Sequence, residues 1–76
     1  MTRKDYVLIA DAIKSVLDVV RAESESPNLS DRGRAVLAGE RIGIHGAALR
    51  LADRLRQDNP RFEWKRFMTA CGFDMD

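Results

Sequence analysis

An all-α domain of three helices, with four as the variant, is the fold class this sequence predicts. Three observations lead there. Apolar residues recur at steps of three and four in separate segments, the spacing of one helix face. Polar, proline-bearing breaks stand between the segments, around Pro27 and Pro60. β-branched residues never alternate over a strand's length, so no strand is expected. The chain has 76 residues and 8.6 kDa, which reads as one helical domain over 1–76. A chain this short buries only about 60% of its unfolded surface, so its core is thin.

The first helix is predicted at about 3–22. Thr2-Arg3-Lys4-Asp5 reads as a capping box, with Asp at N3 in place of the better Glu or Gln. Tyr6, Ile9, Ile13, Leu17 and Val20 then form one apolar stripe, with Ala10 and Val16 beside it. A second row, Leu8, Ala12 and Val19, widens that stripe. Lys14 and Asp18 stand four apart and can pair, worth a few tenths of a kcal/mol at most. Glu23 to Asn28 is polar and carries Pro27, so it is a loop.

The second helical segment spans about 30–57, with Ser30 as N-cap and Asp31 in the first turn. Glycines at 33, 39, 43 and 46 each cost about 1 kcal/mol against alanine in a helix interior. Two readings fit. One is a continuous helix whose glycines permit close packing, and it is preferred. The other is a pair of helices, about 30–41 and 46–57, bent at Gly43-Ile44-His45-Gly46. From Ile44 onward a stripe is clear: Ile44, Ala48, Leu51, Ala52 and Leu55.

The third helix is predicted at about 60–71. Asn59 suits an N-cap, and Pro60 suits the first helical position, where its missing N–H costs nothing. Its face is Trp64, Phe67, Met68 and Cys71, and Gly72 can close its C-terminus. Phe62 or Phe73 can fold over an end of the core. Four of the five aromatic residues lie within 62–73, which marks this segment as the anchor of the packing.

Two blocks of the chain resemble a known group of proteins. Thr2-Arg3-Lys4-Asp5-Tyr6 followed by Leu8-Ile9-Ala10 is similar to the start of many short proteins of bacteriophages, prophages and plasmids. Leu51-Ala52-Asp53, then Asp58-Asn59-Pro60-Arg61-Phe62, Arg66-Phe67 and Ala70-Cys71-Gly72, is similar to their end. The middle, 22–50, matches neither block. The resemblance implies a helical fold and a cytoplasmic location in a bacterial host cell. It carries over no catalytic or ligand residue.

A net charge of +1 hides a segregation. Residues 1–31 carry four basic and six acidic side chains, and residues 32–66 carry nine basic and four acidic. The tail adds Asp74 and Asp76. Ten of the thirteen basic residues are arginine, the residue of bidentate contacts to carboxylate and phosphate. GC-rich codon usage is the plainer explanation of that bias.

Several function classes drop out. One histidine and one cysteine cannot build a structural zinc site, and no disulfide can form within the chain. The longest aliphatic run, Val7 to Ala10, is too short to cross a membrane, and the N-terminus lacks the features of a signal peptide. No P-loop, dinucleotide fingerprint or Gly-x-Ser-x-Gly motif occurs. Cys71 falls on the apolar stripe of helix 3 and reads as core, while His45 reads as a surface or hinge residue. No cofactor is implied, and the chain reads as a non-enzyme.

Binding remains. The candidate contact residues are Arg41, Arg50, Arg54, Arg56, Arg61 and Lys65. The preferred partner is a host or defence protein, which a basic helical face would dock. Small phage proteins often act as such inhibitors, anti-CRISPR proteins among them. The alternative is DNA, with 39–57 threaded as a helix-turn-helix turning at Gly43. That match is partial, because a second helix opening Gly46-Ala47-Ala48 offers nothing to read base edges. A homodimer is a further expectation, since helix 1 carries more apolar surface than a short helix 3 can cover.

Overall fold

The structure, a computed structural model, describes residues 2–74. Three helices follow one another: α1 (Arg3–Ser24), α2 (Asp31–Asp58) and α3 (Trp64–Ala70). No strand occurs among the described residues, so the predicted all-α class holds.

Local chemistry explains the start of α1 and α2. The Asp5 N–H donates to Thr2 Oγ1 at 3.4 Å, and the Thr2 N–H donates to Asp5 Oδ2 at 2.9 Å, closing the capping box. Hydrogen bonds from the Thr2 backbone and hydroxyl hold the Asp5 carboxyl below its ordinary value. Ser30 caps α2 by accepting the Gly33 N–H at 3.0 Å. Lys14 and Asp18 meet at 2.9 Å on the exposed side of α1.

α2 is unbroken through Gly43-Ile44-His45-Gly46. The two-helix reading and the helix-turn-helix threading both need a turn there, and none is present. The physical reason is tolerance. Three interior glycines weaken a 28-residue helix but leave every backbone hydrogen bond available. Nor do Gly39, Gly43 and Gly46 serve close packing inside the chain. A Cβ placed on any of them would meet nothing within 4 Å.

The third helix starts four residues later than predicted. Asn59 is the C-cap of α2, its N–H donating to the Leu55 carbonyl at 2.9 Å. The Phe62 N–H returns to the Asn59 carbonyl at 2.9 Å, and the Arg61 N–H reaches Asn59 Oδ1 at 3.2 Å. Asn59 to Phe62 is therefore a β-turn with proline at its second position, where a fixed φ fits as well as at a helix start. The turn delivers Phe62 into the core, 4.7 Å from the Tyr6 ring and 5.5 Å from the Phe67 ring by centroids. A helix begun at Pro60 gives up this turn.

α3 ends as predicted, on Gly72. Its φ of +100° is the only positive value among the described residues. The Phe73 N–H donates to the Met68 carbonyl and the Gly72 N–H to the Thr69 carbonyl, both at 3.0 Å, which is a Schellman closure. Arg21 of α1 adds a guanidinium hydrogen bond to the Gly72 carbonyl at 2.8 Å.

The main core gathers at one end of a molecule 44 Å long, close to the length of α2 itself. Ala10 and Leu17 of α1, Ala48, Ala52 and Leu55 of α2, and Phe67 and Met68 of α3 are buried there with Phe62, Cys71 and Phe73. Small residues on α2 let the short α3 lie close. Toward the other end, the buried apolar residues among those described are Val20 and Leu37.

The wide apolar stripe of α1 is covered on one side only. Tyr6, Ile9 and Ile13 pack against the core, whereas Leu8 remains 70%, Val19 57% and Val16 53% exposed. Seven residues of α3 are too few to cover a second row.

Candidate functional site

An unbroken α2 arranges its outward residues in one row. Arg32, Val36, Gly39, Gly43, Gly46, Arg50 and Arg54 succeed one another at steps of four, three, four, three, four and four. That is one helix face, turned away from buried Ala48, Ala52 and Leu55. Arg32, Arg50 and Arg54 are exposed and form no ion pair among the described residues. Arg32 and Arg50 stand about 27 Å apart along the axis, and Arg50 and Arg54 about 6 Å. Between them the glycines leave the helix backbone bare. Two acidic residues flank the row: Glu40, four after Val36, and Asp53, three after Arg50, the latter held by Arg56 at 3.4 Å and Gln57 at 2.8 Å.

The six predicted contact residues do not make one surface. Arg50 and Arg54 share the outward row. Arg41 stands four after Leu37 and seven before Ala48, on the other side of the helix, although it is exposed. Arg56 is engaged with Asp53. Arg61 lies in the turn before α3, where it shares a groove with Arg3 and Arg66. Lys65 rests its ammonium 5.9 Å from the centroid of the Trp64 ring. Arg32 was missed, though stepping back seven from Gly39 along the helix finds it. Arg3 and Arg66 gave no local signal, because only the fold brings the start of α1 against α3. Asp76, counted with the acidic tail, lies outside the described residues.

Two further residues bear on chemistry. Cys71 is fully buried, and burial pushes its thiol up to about 11, so little thiolate exists at neutral pH. His45 is not at a hinge. It lies mid-helix, half-buried, with its ring edge-on to Phe73 at 4.7 Å. No hydrogen bond joins it to Cys71, and no group of three or more His, Cys, Asp or Glu gathers to hold a metal among the described residues. No described helix is long and apolar enough to cross a membrane.

No protein-family model matches the chain, and no curated protein or solved structure compared with it does either.

Proposed function

We propose that this protein is a small helical binding module that docks an acidic surface of a protein partner along the outward row of α2. One observation carries the reading: Arg32, Arg50 and Arg54 form no ion pair among the described residues and share a helix face whose middle is three glycines. Arginine suits carboxylates because its planar fork donates two parallel hydrogen bonds. The bare glycines would let a partner helix or strand approach the backbone. Those glycines weaken the free helix by roughly 1 kcal/mol each with no packing gain inside the chain. A face that costs stability and packs nothing internally is reasonable where a partner supplies the packing. In a bacterial host, a chain of this kind would act by occupying its partner stoichiometrically.

The test is affinity capture from nuclease-treated bacterial lysate. Wild type is compared with Arg50→Glu/Arg54→Glu and with Gly43→Leu, which fills the row but keeps the helix. One protein retained at equal stoichiometry by wild type, and lost from both variants, supports the proposal. An identical set of captured proteins from all three chains sinks it. A parallel titration of duplex DNA at low salt separates the competing reading. Binding there that falls steeply with salt would assign the arginines to phosphates instead.

A further inference from the structure

A second feature lies at the other end of the core, built by other residues. Where the start of α1 meets the 59–63 turn and α3, a groove of about 470 Å3 opens to solvent. None of the outward row of α2 lines it. Its floor is Tyr6, Ala10, Phe62 and Phe67, with the three rings set in sequence at centroid distances of 4.7 and 5.5 Å. Three exposed arginines, Arg3, Arg61 and Arg66, line its rim. Only one carboxylate joins them, Glu63, which stands 3.6 Å from Arg66. Arg3 and Arg61 have no ion-pair partner among the described residues.

We infer that this groove is a binding site for a small aromatic anion: a flat apolar body carrying one carboxylate, sulfonate or phosphate group. Size, floor and rim each narrow the class. The volume falls within the roughly 300–1,000 Å3 of small-molecule sites. The floor is aromatic rings and an alanine methyl, which favours an apolar, aromatic body. At its edge Asn59 accepts the Arg61 N–H through Oδ1 at 3.2 Å. The rim has a surplus of two positive charges, which selects an anion and repels a cation. Arg61 is well placed for this work. Its backbone is held by the Asn59 turn, so the side chain leaves from a fixed point beside the ring of Phe62.

The probe pair is 8-anilinonaphthalene-1-sulfonate and N-phenyl-1-naphthylamine, nearly the same ring system with and without the anion. Fluorescence titration should show saturable one-to-one binding of the sulfonate, with the neutral amine about tenfold weaker or worse, the lower end of a charge-assisted contact. Amide shifts on adding the sulfonate should centre on residues 6, 62 and 67. Arg61→Gln should weaken the sulfonate by about the same factor and leave the amine unchanged. Ala70→Leu, at an exposed position lining the groove, should weaken both probes. A cooperative thermal melt checks that each variant is folded. Equal affinity for the two probes overturns the inference. So does a wild-type response at Arg61→Gln, or shifts centred on the exposed row of Leu8, Val16 and Val19.

Discussion

Glycine-to-alanine substitutions at four positions should split in sign. Gly39, Gly43 and Gly46 lie inside α2, and an added Cβ there meets nothing within 4 Å. Alanine removes backbone freedom from the unfolded chain and loses no contact, a gain of about 0.8–1 kcal/mol at each site. The three methyl groups point into open space, so the triple variant should gain roughly 2–3 kcal/mol. Gly72 is the opposite case. Its φ is +100°, and a Cβ would stand 3.0 Å from Leu17 Cδ2, a side chain with 0% exposure. The left-handed backbone costs alanine about 1–2 kcal/mol, and a buried leucine cannot yield freely, so Gly72→Ala should lose about 2–3 kcal/mol. A domain of this size has roughly 4–11 kcal/mol in total. Each kcal/mol moves the midpoint by about 4–8 °C. The assay is thermal and urea unfolding followed by far-UV circular dichroism. The triple variant should melt about 10–20 °C above wild type, and Gly72→Ala at least about 8 °C below it. A drop in Tm for Gly43→Ala or Gly46→Ala would refute the reasoning, since it would mean that α2 bends there.

Other perturbations test other parts of the structure. Arg21→Gln removes the guanidinium from the Gly72 carbonyl and should destabilise by about 1 kcal/mol in urea melts, because that carbonyl stays near water. Cys71 should react with a thiol reagent at pH 8 far more slowly in the folded protein than in urea. Its thiol is raised to about 11, so the folded form favours the protonated state, and stability from this group falls as pH rises from about 9 through 11. Fast native-state labelling would show that Cys71 is accessible. Asp5 behaves in the reverse sense. Its folded value lies below the ordinary 3.8, so its share of stability is present above that pH and is lost as pH falls through the folded value. A carboxyl NMR titration should show the lowered midpoint, and Thr2→Ala, which removes the hydroxyl but keeps the backbone N–H, should move it only part of the way back up.

Much of the fold is legible in the sequence. The start of α1 needs only Thr2 and Asp5, and the start of α2 needs only Ser30 and Gly33. The Lys14–Asp18 pair and the glycine closure at Gly72 also involve partners within a few residues. The candidate site was legible only in part. Arg50 and Arg54 could be placed together because both ride on one helix. Arg41 and Arg56 ride on the same helix as well, but a residue's face depends on its angle around the axis. The groove rim could not be anticipated, because Arg3 and Arg61 are far apart in the chain.

The sequence by itself determined the helical class, the caps and the apolar rows, since these follow from hydrogen bonds and periodicities that close within one or two turns. Tertiary structure decided three things. It chose between a helix start and a turn at Asn59-Pro60, both of which that dipeptide satisfies, because the turn seats Phe62 between Tyr6 and Phe67. It chose which apolar row of α1 is buried, because the neighbours supply surface for one row and not two. And it left the glycine face of α2 without a neighbour, because both other helices pack on the alanine side, where Ala48 and Ala52 let them come close.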